Sequence, residues 1–552
     1  MRKILSTILL VMVAATATSK DNKPLTQVVI TAHTTLNAQQ KVEAHMKAGN
    51  YDGAIGIKLR GNSSLSFNQK KYTIELRTPD GKEQDAPLLG MPAHSDWVLL
   101  APYNDVSAVR DPLAFQLWRD MGHWAPCTRM VELTLNGEYR GIYILAEAIK
   151  RGKDRVDVAK LKKTDTTGRD VTGGYLLRID TYNDDDATFI SKVPGIGVGI
   201  MTREVVWSCI YPKKKNLQPE QMAYIQSYVD TVEQVIQSAD FANPTTGYAR
   251  YIDVPSFVDY FIHTELSINA DGYKRSAYFY KEKQNADGSG GKLVAGPVWD
   301  YNLAYGNCNF SNANNLEAWC FEGASNSPTP ALWQRLLQDP AFRRAVKQRY
   351  QSLRKGVLSL KSLYAYIDRH AQQLAPSLDH HFQTYPELLV SETEKNQPAA
   401  QPFGTFPGGF PPMPDFSAMG GFPMGQFPPM GDSIPQFPGG FPPMPDFSAM
   451  GGFPMMGDSI PQFPGGFPPM PDFSTMGNFP MMGGFNAVGM FAAYRVSSYA
   501  EEIKTLKQWL ADRLAFLDRN IERFDQDWQP RIQEPREIKM QMPMFPVGGF
   551  GF

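Results

Sequence analysis

The chain has almost no net charge. Its 55 basic and 56 acidic residues leave −1 at pH 7 over 552 residues. Bulk electrostatic attraction to nucleic acid or another polyanion is thereby excluded as a basis of function. Cysteine is scarce: only Cys127, Cys209, Cys308 and Cys320 occur, none in C-x-x-C spacing, which argues against a zinc site. Four cysteines allow three disulfide pairings, of which Cys308 with Cys320 closes the shortest loop; buried free thiols fit the sequence equally well. Beyond the first twenty residues no apolar run is long enough to cross a bilayer, so no membrane span is expected in the mature chain.

What is present begins with a signal-peptide pattern over residues 1–19. Arg2 and Lys3 precede a nearly uninterrupted apolar or small run from Ile4 to Ala17, and Ala15-Thr16-Ala17 suits a cleavage site. An uncleaved anchor is the alternative. No cysteine follows the run, which argues against a lipoprotein. The expected location is secreted, periplasmic or cell-surface.

Composition changes abruptly at Gln401. As far as Gly489 the chain is dominated by Pro, Gly, Phe and Met, and a unit beginning at Phe406 (F-P-G-G-F-P-P-M-P-D-F-S) recurs at Phe437 and Phe463. Its many prolines each remove a backbone donor and its glycines are costly to order, so a disordered or loosely extended insertion is predicted. Its Phe and Met side chains suit binding a partner or self-association; a loop with no specific task fits as well. After it, Ile503, Leu506, Trp509, Leu510, Leu514, Leu517, Ile521 and Phe524 recur at helical spacing, predicting an amphipathic helix that packs back on the body.

Ahead of the repeat, strands are predicted at Val28–Ala32, Ala54–Leu59, Tyr72–Leu76, Val131–Leu135 and Ile142–Leu145, the last two joined by the hairpin signal Asn136-Gly137. A helix capped by Asp111, with Pro112 in its first turn, is predicted to end at Gly122. Further helices are predicted from Pro219, from Pro255 to Leu266, from Pro330 to Leu337 and from Ala341 to Leu353, with a late hairpin near Tyr278. The fold class is α+β: a small β portion over 24–150, a larger helical portion over 151–400, the insertion over 401–489, a helix completing the body over 490–530, and a flexible tail over 531–552.

Three constellations can carry chemistry. Arg60, Gly61, Asn62, Ser63 and Ser64 form a turn between strands whose amides and hydroxyls can face an anion. The following strand alternates, which places Lys70 on the face of Tyr72, Ile74 and Leu76 and turns Lys71 to solvent; a plain surface hairpin is the alternative. Asp271, in a loop between a helix and a strand, can accept a proton from an attacking hydroxyl, or be an ordinary Asp-Gly turn. Asp300, after a hairpin and within Gly296-Pro-Val-Trp-Asp300-Tyr-Asn302, can offer hard oxygen to a divalent cation, or be a solvated packing corner. No G-x-G-x-x-G, H-R-D or D-F-G motif is present. The order of turn, lysine, acidic residue, hairpin and second acidic residue nevertheless follows the protein-kinase plan.

The stretches Arg60–Leu76, Trp97–Arg110, Gly141–Glu147, Gly173-Gly-Tyr-Leu-Leu, Trp299–Asn307 and Leu506–Arg513 resemble the CotH kinase family, over roughly Pro24 to Phe524 without the repeat. The resemblance implies a two-lobed kinase-like fold, with 24–150 as N-lobe and 151–400 as C-lobe. It also implies ATP with Mg²⁺ or Mn²⁺, and transfer of the γ-phosphoryl group to Ser/Thr hydroxyls of surface or coat proteins, the chain itself included. By the same resemblance Lys70 is the phosphate-binding lysine, Asp271 the catalytic base, Asp300 the main metal ligand, and Arg60–Ser64 the phosphate cover. Glu147 to Ile149 would meet the adenine. Ser276 stands where the kinase plan has Asn, and Asn302 where many relatives have Asp. Each supplies a neutral oxygen in place of a stronger ligand, which keeps open a catalytically weak, structural or binding protein of the cell surface.

Overall fold

The computed structural model describes residues 24–197, 204–309, 313–322, 328–395, 494–526 and 528–530. The signal-peptide, repeat and tail expectations fall outside them. Seven strands close a barrel in the order β1-β2-β3-β4-β7-β9-β8. They are β1 (Thr26–Ala32), β2 (Val42–Ala48), β3 (Tyr51–Arg60), β4 (Lys71–Leu76), β7 (Asp96–Leu100), β8 (Thr128–Leu135) and β9 (Glu138–Glu147), while β5 (Ala86–Leu88) and β6 (Met91–His94) pair separately. All barrel pairs are antiparallel except the closing one, β1 with β8. Asn136 and Gly137 both take positive φ, as a tight hairpin between β8 and β9 requires.

Closure decides which face of each strand is functional. Val28, Ile57, Tyr72, Ile74, Trp97, Leu99, Val131, Tyr143 and Leu145 fill the barrel interior. The opposite faces of β7 and β9 are apolar too: Val98, Leu100, Ile144 and Ala146 belong to the main core shared with the helices. That is why both strands read as nearly continuous hydrophobic runs. The small β portion expected over 24–150 closes into a barrel because β1 turns back to pair with β8 and leaves no free edge.

The second portion is less helical than its sequence pattern implied. A five-stranded antiparallel sheet, β11-β12-β10-β13-β14, runs through it. Its members are β10 (Tyr175–Ile179), β11 (Ala187–Ile190), β12 (Val206–Tyr211), β13 (Ala277–Lys281) and β14 (Leu293–Ala295). Helix α1 (Arg110–Asp120) follows the barrel strand β7, and α2 (Pro219–Gln237) and α3 (Val254–Ser267) belong to the second portion. The α3 start shows its local cause: Asp253 accepts the amide of Ser256 at 3.0 Å, with Pro255 in the first turn. Asp111 does not cap α1. Val109 is the N-cap residue, without a side-chain bond, and the Asp111 carboxylate is engaged elsewhere.

The helix Tyr499–Ile521, capped by Ser498, buries Leu506, Leu510, Leu514 and Leu517 in the main core. Its Arg513 is fully buried and donates to the carbonyls of Glu265, Leu316 and Ala318. The two described flanks of the insertion meet: the amide of Val390 donates to Val496 O at 3.0 Å. Among the described residues no disulfide is formed. No helix among them is long and apolar enough to cross a membrane.

Candidate active site

A cleft of about 760 Å³ lies between the barrel and the second sheet. Its wall on the barrel side is the end of β3 and the turn after it: Arg60, Gly61, Asn62, Ser63 and Ser64 all line it. Gly61 has φ +121°, and a Cβ there would meet the Ser64 hydroxyl at 2.0 Å, so the turn demands glycine. The Arg60 guanidinium lies over the ring of Trp299, 5.3 Å from its centroid, and so links this turn to the residue before Asp300.

The lysine in the cleft is Lys71, not Lys70. Lys71 pairs with Arg60 across β3 and β4, is buried, and places Nζ 3.8 Å from Asp300 Oδ1. Lys70 precedes the strand, does not line the cleft, and donates its ammonium to Leu65 O at 2.6 Å. Alternation from the sequence turns Lys71 to solvent; the structure instead buries it on the cleft face. The Tyr72–Ile74–Leu76 face packs into the apolar barrel interior, so the cleft uses the opposite face of the strand.

On the other wall, Asp271, Ser276, Asp300 and Asn302 come together in the same cleft. Asp271 sits in the loop after α3, its amide donating to Asn269 Oδ1 at 3.2 Å while the amides of Lys274 and Arg275 return to its carbonyl. Burial, reinforced by the nearby Asp300 charge, pushes its carboxyl up to about 6. Ser276 and Asp300 hold positive φ of 48° and 65°, as do Ile268, Tyr273 and Tyr305 nearby. Such backbone costs on the order of 1–3 kcal/mol per residue and persists where surrounding bonds enforce it. Here Asn269 Nδ2 donates to Asp300 O at 3.2 Å and Tyr305 N to Ser267 O at 2.7 Å.

Asn302 donates its side-chain amide to Asn104 Oδ1 at 2.8 Å, which leaves its carbonyl oxygen for a cation. Asp300, Asn302 and Ser276 together offer hard oxygen donors. They suit Mg²⁺, which takes one or two carboxylates and completes its shell with phosphate and water. Among the described residues no group of three or more His, Cys, Asp or Glu is arranged to hold a metal.

Glu147 and Ile149 do not line the cleft. The Glu147 amide donates to Cys127 O, its carboxylate accepts Cys127 N at 2.9 Å and pairs with Arg155, and Ile149 packs on the main core. The cleft extends instead along Arg178 of β10 and Asp180 and Tyr182 just after it, residues that carried no recognisable sequence signal. Asp111 was also missed as a site residue: its Oδ1 accepts the amide of Tyr301 at 2.6 Å.

With this geometry in hand, the comparisons agree on one family. The family model described as CotH kinase protein matches residues 57–406. The chain is also 22% identical over 337 residues to the inner spore coat protein H of Bacillus subtilis (strain 168), covering 61% of this chain and 80% of that protein. The chain belongs to the CotH kinase protein family.

Proposed function

We propose that the protein is a secreted atypical kinase on a kinase-like two-lobed frame. It would transfer the γ-phosphoryl group of ATP to Ser or Thr hydroxyls of surface or coat proteins. The observation that carries this reading is the meeting of Lys71, Asp271 and Asp300 around one cleft beside the Arg60–Ser64 turn. Phosphoryl transfer asks the protein for positioning and charge stabilisation more than for covalent chemistry. The turn and the Lys71 ammonium hold phosphate oxygens. Asp300, with Asn302 and Ser276, would hold Mg²⁺ or Mn²⁺, which when bound neutralises charge on the β- and γ-phosphates. Asp271 accepts the acceptor hydroxyl's proton as the new O–P bond forms and ADP departs. A carboxyl near pH 6 is ionised at neutral pH yet basic enough for that task.

Asp300→Ala is the direct test. It should abolish both magnesium-dependent thermal protection by ATP and transfer of label to a Ser/Thr peptide or to the chain itself. Undiminished protection in that variant would remove Asp300 from the site. The neutral ligands Ser276 and Asn302 favour a second reading, a catalytically weak binding protein of the cell surface. Retained partner binding without label transfer in the unaltered protein would select it.

A further inference from the structure

Resting on that nucleotide and metal reading, we propose that Asp111 is a positioning residue: by accepting the Tyr301 amide it fixes the turn that aims Asp300 at the cation. Asp111 is buried in the first turn of α1 and does not line the cleft. Its bond to Tyr301 N, at 2.6 Å, reaches the residue directly after Asp300. Asp300 is held at φ +65°, a conformation that a non-glycine residue keeps only under constraint, and its own carbonyl is fixed from the other side by Asn269.

The neighbouring contacts point the same way. Arg110, beside Asp111, donates to Ala304 O at 3.1 Å. Asn104, at the head of the same loop, accepts from Asn302 and, through its carbonyl, from Asn307 at 2.6 Å. The segment from Asp300 to Asn307 is therefore tied to residues 104–111 as well as to its own portion of the fold. Asp111 is the tie that reaches the residue next to Asp300.

The test separates the hydrogen bond from the charge. Asp111→Asn keeps an oxygen acceptor for Tyr301 N; Asp111→Ala removes it, and Asp111→Leu does the same at similar volume should the alanine variant not fold. Two quantities are measured in the full chain: the Mg²⁺ concentration giving half-maximal thermal protection by ATP, and hydrogen exchange of residues 300–307. Asp111→Ala or →Leu should raise the Mg²⁺ requirement about ten-fold or more, as loss of a ligand-orienting contact does, and speed exchange at Tyr301. Asp111→Asn should stay near the unaltered protein in both. Unchanged Mg²⁺ requirement and exchange in Asp111→Ala, or an asparagine variant as impaired as the alanine one, overturns the proposal. If the unaltered protein shows no Mg²⁺-dependent protection, the nucleotide reading fails while exchange at Tyr301 still decides whether Asp111 holds the turn.

Discussion

Lys71 Nζ stands 3.8 Å from Asp300 Oδ1, bringing a barrel strand and the turn after the last sheet strand together at one point. The pair is largely shielded on the lysine side and more open on the aspartate side. An ammonium and a carboxylate so placed can separate to take a polyphosphate and its cation between them. The predictions below follow from this relationship and from the packing that maintains it.

The raised Asp271 carboxyl gives the reaction an acid limb. The base must be ionised, so kcat/KM should rise with pH through about 6 and level off above it. Asp271→Asn should lower the rate by about 10²–10⁴-fold. Stability carries the opposite sign. The folded protein holds this proton to higher pH than the unfolded chain, so the Asp271 contribution falls as pH rises from the usual carboxylate value to about 6. Denaturant titrations across that window should show the unaltered protein losing stability relative to Asp271→Asn.

The C-terminal helix is locked by a buried cation. Arg513 donates to three backbone carbonyls and lies 3.5 Å from Glu265, whose carboxylate also receives the amides of Cys320 and Phe321. Arg513→Ala should cost about 3–5 kcal/mol in equilibrium unfolding, because it strands a buried charge. Arg519, whose contact with Glu317 is exposed at 3.9 Å, should change stability by less than about 1 kcal/mol when replaced.

The insertion should be dispensable for folding. Val390 meets Val496 and Lys395 pairs with Glu501, so the two flanks are held together by their own contacts. Replacing residues 401–489 by a short Gly/Ser linker should leave the thermal midpoint within a few degrees, since loop length enters stability only logarithmically, about 0.6 kcal/mol per doubling. A cooperative transition lost on deletion would show that the insertion contributes to the core.

Much of this architecture is legible in the sequence where local chemistry is strong. Asn136-Gly137 marked its hairpin, Pro255 its helix, and the Leu506–Leu517 stripe a core-packed helix. Asp271 and Asp300 stand out locally as acidic residues in loops beside a helix or hairpin, while Ser276 and Asn302 come only from the family resemblance; all four line the cleft with the Arg60–Ser64 segment. What escaped was long-range. Barrel closure cannot be read from β4 alone, and closure is what exchanged Lys70 for Lys71. Strands β10 to β12 were missed because Tyr175–Ile179 and Val206–Tyr211 are short and mostly buried, and lack clean alternation. Asp111 read as a helix cap because capping is the commonest use of an Asp at that place; its acceptor role depends on Tyr301, far along the chain.

The central claim is tested most directly by comparing Lys71→Met with Lys70→Met in one thermal-shift experiment with ATP and Mg²⁺. The account predicts that Lys71→Met loses nucleotide protection while Lys70→Met keeps it. Protection lost in Lys70→Met and kept in Lys71→Met would contradict it.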